Sequence, residues 1–203
     1  MNTNGHSYVD LGLPSGTLWA TKPIMSQDNK PLYFAWGGIQ GITRDYIEKI
    51  DFLFGFINKQ IGSVVPYVND DLTPTKYNIE DGKTVLDLED DAAHVHMGGD
   101  WNMPTKEQLE ELTTNTTSTW ITKDGVNGRL FTSNVNGNSV FVPAFGYVYD
   151  GTVYSVGSNG YVWSSSVNEE DLYNAWNLYF SSSYLDVYYY TRTNGQVVFG
   201  VVG

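Results

Sequence analysis

The sequence predicts an α+β fold: a single domain with two or three helices and a strand-rich C-terminal half. Three observations lead there. Helix-spaced apolar residues with capping signals lie between Arg44 and Thr114. Short alternating runs punctuated by Asn-Gly and Asp-Gly pairs fill the chain after Trp120. A length of 203 residues, 41% hydrophobic and 17% charged, suits one substantial core better than two.

In chain order, Tyr8 to Trp36 is broken by Gly12, Pro14, Gly16, Pro23 and Pro31 and reads as short strands joined by turns. Arg44 to Ile61 carries Ile47, Ile50, Phe54, Ile57 and Ile61 three or four apart, a helical spacing that Gly55 weakens by about 1 kcal/mol relative to Ala. Thr84 to Met97 reads as an amphipathic helix with Val85, Leu88, Ala92, Ala93 and Val95 on one side and Asp87, Glu89, Asp90 and Asp91 near its N-terminus. Gly98-Gly99 ends it. A further helix is expected over 106–114, with Thr105 and Gln108 forming a capping box and Leu109 and Leu112 facing inward. Beyond it, the pairs 124–125, 127–128, 136–137, 150–151, 159–160 and 194–195 each predict a hairpin turn, since both residue types tolerate positive φ.

Composition excludes several classes of function. A formal net charge of -12 repels nucleic acid and anionic lipid, and no apolar window is long enough for a membrane-spanning helix. Without Cys there are no disulfides, thiolate metal sites or thiol nucleophiles. The residues after Met1 carry no basic, apolar leader, so synthesis in a cytoplasm is expected, including that of a bacterium assembling phage particles. His6, His94 and His96 accompany no nucleophile motif. On a helix the last two lie roughly 200° apart, unsuited to sharing a metal. Asp70-Asp71 and Glu89-Asp90-Asp91 offer oxygen ligands for calcium, but a helix-capping and solubilising charge run is the favoured reading. Neither a metal nor another cofactor is expected.

The recognition chemistry lies near the C-terminus. In the strand 174–180, Trp176, Leu178 and Phe180 alternate with Ala175, Asn177 and Tyr179, so the first set is expected inside and the second outside. The strand after it sets Leu185, Val187 and Tyr189 against Tyr184, Asp186, Tyr188 and Tyr190. Tyrosine offers a large, stiff, amphipathic contact area with few torsions to freeze, and Asn and Ser add adaptable hydrogen bonds. The candidate ligand-binding residues are therefore Asn159, Tyr161, Asn168, Asp171, Tyr173, Asn174, Asn177, Tyr179, Tyr184, Asp186, Tyr188 and Tyr190. The turn 166–171 is expected to be polar and exposed. Trp19, Trp36, Trp101, Trp120 and Trp163 sit among small or apolar neighbours and are assigned to the core.

Three blocks carry a resemblance to a known family. They are Tyr8-Val9-Asp10-Leu11-Gly12-Leu13-Pro14-Ser15-Gly16-Thr17-Leu18-Trp19-Ala20-Thr21 with Tyr33 to Gly37, then Leu88 to Leu112 around Trp101-Asn102-Met103-Pro104-Thr105, and Gly160 to Ser166 with Leu178 to Phe180 and Arg192 to Val198. Together they resemble the Fibrobacter succinogenes major paralogous domain, itself similar to the formylglycine-generating-enzyme version of the C-type-lectin fold. The resemblance implies a single C-type-lectin-like domain over 1–203, with a chain-specific insertion at about 38–71 that it does not cover. Asn102 stands where that family usually has Arg. Enzyme activity of the formylglycine-generating kind needs cysteines that this chain lacks. The fold is also similar to the variable proteins of diversity-generating retroelements, whose adenine-directed mutagenesis of Asn codons yields the Tyr, Ser, Asp and Thr that crowd 159–194.

The expected function is accordingly a non-enzymatic ligand- or receptor-binding module, associated with a phage virion and directed at a host-surface glycan or protein. The alternatives are a structural virion component, such as a head or tail fibre or a capsid decoration, that uses the same face against other virion proteins, and a bacterial cell-surface protein. Homo-oligomerisation stays open.

Overall fold

The computed structural model describes residues 2–45, 66–69 and 73–203. The chain opens with β1 (Asn2–Thr3), β2 (His6–Asp10) and β3 (Leu18–Ala20). A 3-10 turn (Leu88–Asp90), α1 (Ala92–Met97) and α2 (Lys106–Asn115) follow. The C-terminal half is then all strand: β4 (Thr116–Lys123), β5 (Val126–Ser133), β6 (Ser139–Pro143), β7 (Tyr147–Tyr149), β8 (Thr152–Tyr154), β9 (Gly160–Val167), β10 (Asn174–Phe180), β11 (Leu185–Thr191) and β12 (Val201–Val202). The architecture is α+β and strand-rich. The sheets are β1-β2-β3-β12, β4-β5-β6, β7-β8 and β11-β10-β9. Pairing of Val201 with Trp19 brings the two ends of the chain into one sheet. The helix expected over 44–61 lies almost wholly outside the described residues, as do Asp70, Asp71 and most of the 38–71 insertion.

Helix α2 forms where its sequence signals lie. Thr105 Oγ1 accepts the Gln108 N–H at 3.3 Å and Gln108 Oε1 accepts the Thr105 N–H at 2.9 Å, the two halves of the capping box. Leu109 and Leu112 are fully buried. The helix stops where Thr116 turns extended and enters β4.

The segment 84–97 departs from expectation. Only 92–97 is α-helical, and Val85, Leu88 and Val95 are exposed while Ala92 and Ala93 are buried. Two aspartates account for the difference. Asp91 adopts an extended conformation and caps α1, its Oδ1 accepting the His94 N–H at 2.9 Å and its Oδ2 the Met103 N–H at 2.7 Å. Asp90 is drawn inward by a buried ion pair described below. Neither residue solubilises a helix face. Gly98 does end α1, at φ 66°.

Three of the six Gly pairs make turns. Asp124-Gly125 joins β4 to β5 and Asp150-Gly151 joins β7 to β8, each with both residues at positive φ. Asn136-Gly137 lies in the β5–β6 loop with Gly137 at φ 74°. The other three are corrections. Gly128 sits inside β5, where an added Cβ would lie 2.3 Å from the Val142 carbonyl, and Gly160 opens β9 against the Phe180 ring. Gly195 is an interior position where an added Cβ would lie 2.8 Å from Val148 Cβ. In all three, glycine answers close approach rather than turn geometry.

The three sequence blocks converge in the core. Trp19, Trp36, Trp101 and Trp163 are at most 1% exposed, whereas Trp120 is only partly buried, at the edge of the core near Phe180. The first and third blocks are tied reciprocally: Trp36 Nε1 donates to the Ser164 carbonyl at 2.8 Å and Trp163 Nε1 to the Phe34 carbonyl at 2.9 Å. Ser165 N–H donates to the Pro104 carbonyl at 2.8 Å, which joins the second block.

Candidate functional site

The sheet β11-β10-β9 carries the residues that the sequence nominates. Register sets Ala175, Asn177 and Tyr179 of β10 opposite Tyr190, Tyr188 and Asp186 of β11, and Asn177 and Tyr179 opposite Trp163 and Tyr161 of β9. Directly opposed residues share a face, so these side chains project together. That face is not uniformly open. Phe34 and Gln196 run across its middle, where Asn177 Nδ2 donates to Gln196 Oε1 at 2.8 Å and Trp163 reaches the Phe34 carbonyl.

Only the tyrosine end remains at the surface. There the rings touch in series: Tyr161 and Tyr179 have centroids 5.0 Å apart, Tyr179 and Tyr184 5.5 Å, Tyr161 and Tyr190 5.3 Å, and Tyr188 and Tyr190 6.0 Å. The β7–β8 hairpin extends the series through Tyr147, 4.7 Å from Tyr161, and Tyr154. Tyr188 also stacks on Tyr189 at 4.7 Å. Tyr189 meets Trp176 edge-on at 5.5 Å, and Lys106 Nζ lies 4.2 Å above the Trp176 ring. One aromatic belt therefore passes around the β11 edge, from the β7–β8 hairpin to the start of α2.

Hydrogen bonds fix its polar atoms. Asn159 Nδ2 donates to the Tyr179 hydroxyl at 2.8 Å, and the Tyr184 hydroxyl donates to Asp186 Oδ2 at 2.9 Å. That bond is the main reason the Tyr184 hydroxyl is held above its ordinary pKa. Tyr161 is raised by burial and by the neighbouring Tyr190. The belt presents rings and hydroxyls, with Asp186 and the 169–171 turn supplying negative charge.

Of the twelve nominated residues, Tyr173, Tyr184, Asp186, Tyr188 and Asp171 are exposed, and Asn159, Asn174, Tyr179 and Tyr190 are half-buried. Three are corrected. Asn177 is wholly buried beneath Gln196, as its neighbour Ala175 also is. Tyr161 is a buried support of the ring series. Asn168 is buried, its Oδ1 accepting the Glu170 N–H at 3.1 Å to shape the turn. The turn itself is exposed only over 169–171; Ser166 and Val167 are buried. Asp171 plays a similar local part, its carboxylate accepting the Tyr173 N–H and the Asn174 side-chain amide. Sequence reasoning missed Tyr147, Tyr154 and Tyr189, and assigned Trp176 wholly to the scaffold. The signal for the first two was present: the Asp150-Gly151 hairpin is flanked by Tyr147, Tyr149 and Tyr154.

Two charged centres lie apart from this face. Asp87, Glu89 and Asp90 bring carboxylate oxygens within 4.8 Å of one another, but Lys76 Nζ occupies the position a cation would need. It lies 2.9 Å from Asp87 and 3.6 Å from Glu89 and pairs with Asp90, which also accepts the Tyr67 and Tyr77 hydroxyls. Burial alone would raise the Asp90 carboxyl, yet these donors hold it below the ordinary aspartate value. Hydrogen bonds from Lys83 and Lys76 pull Asp87 down to about 2. Burial, with the Asp90 hydrogen bond adding to it, pushes Tyr67 up to about 12.

Arg192 is 1% exposed. Its guanidinium stacks 4.5 Å from the Trp36 ring centroid and donates to the carbonyls of Lys76, Tyr77 and Leu172 at 2.9, 3.3 and 3.2 Å. Burial lowers its pKa to about 10, so it stays charged at neutral pH. His94 and His96 lie away from the aromatic belt, with ring nitrogens against the carbonyls of Trp101 and Ile39.

Residues 116–199, which include every strand of this face, match a family described as a domain of unknown function (DUF8237). No curated protein and no solved structure matches the chain at a significant level.

Proposed function

We propose that this chain is a non-enzymatic binding module with a C-type-lectin-like scaffold of the Fibrobacter succinogenes major paralogous kind, and that the tyrosine belt is its recognition surface. The observation that carries the reading is the exposed, contiguous ring series, with Tyr184 46% and Tyr188 43% exposed and Tyr184 tied to Asp186 by a hydrogen bond. Large aromatic side chains standing in water serve no core, and rings held in place lose little entropy when a ligand covers them. The scaffold half of the reading is supported by the burial of Trp19, Trp36, Trp101 and Trp163, one or two from each block of the resemblance.

The target is a host-surface glycan or protein, and the setting a phage virion. Replacing Tyr184, Asp186 and Tyr188 together by Ala tests this, because all three are exposed and their loss leaves the fold intact. Retention on host cells or a glycan array should fall by roughly tenfold or more, since truncating anchor residues of an interface commonly costs over 1 kcal/mol each. Undiminished binding by a variant with unchanged Tm removes the face from consideration. A second reading, a structural virion component, draws on the edge of β11, unpaired among the described residues. Purified particles that hold this chain in fixed stoichiometry with the belt covered would favour it.

A further inference from the structure

β11 is the last strand of its sheet. Among the described residues, 185–190 make no backbone hydrogen bond other than with β10. Edge strands are usually protected by Lys, Pro or a bulge. β11 reads Leu-Asp-Val-Tyr-Tyr-Tyr-Thr, with none of the first two, and its register against β10 is unbroken from Leu185 to Thr191. Alternate residues within 185–190 therefore turn their main-chain donors and acceptors outward, flanked by the exposed rings of Tyr184, Tyr188 and Tyr189.

Charge decides what such an edge attracts. From Val126 to Gly203 the sequence contains five acidic residues, Asp150, Glu169, Glu170, Asp171 and Asp186, and two basic residues, Arg129 and Arg192. Both are buried: Arg129 is 8% exposed with its guanidinium committed to the carbonyls of Ser181, Ser182 and Tyr184, and Arg192 lies against Trp36. Asp186 projects from β11 itself, and the 169–171 turn between β9 and β10 adds three exposed carboxylates. The sheet's rings already accept a cation: Lys106 Nζ sits 4.2 Å over Trp176, the direct cross-strand partner of Tyr189. A second copy of the chain would bring another Asp186 and another net charge of -12 to the same edge.

We propose that the outer edge of β11 binds an extended peptide segment bearing Lys or Arg. The segment adds as a strand, with its cations over the rings of Tyr184 and Tyr188 and beside Asp186. Main-chain pairing supplies affinity independent of sequence, and the aromatic and acidic side chains select for positive charge. This inference rests on the recognition role of the tyrosine belt and narrows its ligand to a basic, extended polypeptide rather than a neutral glycan.

The probe is a labelled Lys-Thr-Lys-Thr-Lys-Thr-Lys peptide, followed by fluorescence anisotropy against the full chain. Two controls accompany it: the peptide with Glu for each Lys, and the Lys peptide N-methylated at every residue so that it cannot pair. Binding of the Lys peptide should exceed both by tenfold or more, weaken roughly tenfold between about 0.05 and 0.5 M salt, and shift the backbone amide resonances of 185–191. Equal binding of the N-methylated peptide would mean attraction to an acidic protein without strand addition, and would overturn the inference. So would equal binding of the Glu peptide, or no binding at all. Sedimentation showing that the chain dimerises through β11 without peptide would assign the edge to a second copy and also overturn it. The Tyr184, Asp186 and Tyr188 triple-Ala variant separates the two readings: if it loses host-cell binding while the peptide fails to bind, the belt stands and only the peptide assignment falls.

Discussion

Replacing Asp90 by Ala removes the acceptor shared by Tyr67, Tyr77 and Lys76. Tyr77 is wholly buried, so its hydroxyl loses a charge-assisted bond with no water to replace it, at a cost of about 1.5–3 kcal/mol. Tyr67 is only partly buried and recovers a water. Lys76 keeps Asp87 at 2.9 Å, which limits its loss to about 1 kcal/mol. The total is about 2.5–4 kcal/mol, below the ceiling for breaking a fully buried pair. For a domain of this size that lowers Tm by roughly 5–16 °C. Asp90→Asn keeps the shape and an acceptor and should cost about half as much. Urea and thermal unfolding followed by circular dichroism measure both. A loss under about 1 kcal/mol for Asp90→Ala, with the fold retained, would refute the claim that these groups form a buried, mutually dependent network. The same network sets acid sensitivity. Asp90 and Asp87 have pKa values depressed on folding, so their contribution is fully present above the ordinary aspartate pKa. It is lost as pH falls below that value toward the folded one, about 2 for Asp87. Wild type should therefore lose Tm from pH 5 to 2 more steeply than Asp90→Asn.

Other outcomes follow from local geometry. Thr105→Ala removes one half of the capping box on α2 and should destabilise by about 1 kcal/mol in urea titrations. Gly128→Ala places a Cβ 2.3 Å from the Val142 carbonyl, and the forced separation of β5 from β6 should cost about 1–3 kcal/mol or more. Arg192→Met leaves the carbonyls of Lys76, Tyr77 and Leu172 without their donor and should cost over about 2 kcal/mol, read as a fall in Tm. Because Lys76 already fills the Asp87–Glu89–Asp90 cluster, millimolar calcium should leave the Tm of wild type unchanged; a saturable rise would overturn that assignment.

Much of the fold was legible because its signals are local. The capping box at Thr105 and Gln108, the turns at Asp124-Gly125 and Asp150-Gly151, and the inward Leu109 and Leu112 each depend on residues within a few positions of one another. The segment 84–97 was misjudged because its apolar spacing is helical, while its outcome hangs on Asp90 meeting Tyr67, Tyr77 and Lys76 from elsewhere in the chain. Buried charge pairing outweighed the weak preference of an amphipathic pattern.

The candidate face divides in the same way. The sequence by itself determined that β10 and β11 alternate, that tyrosines fall on one side with Asp186, and that neither strand carries Lys or Arg. Tertiary structure alone decided which part of that side meets water. Alternation assigns a residue to a face but carries no information on what crosses it, and the segment that follows Arg192 brings Gln196 over Asn177 while leaving Tyr184 and Tyr188 exposed. The same long-range packing recruits Tyr147 from a separate hairpin and, among the described residues, leaves the edge of β11 unpaired. Pairing and cover are contacts between distant segments, set by the free energy of the whole core, and no local pattern encodes them.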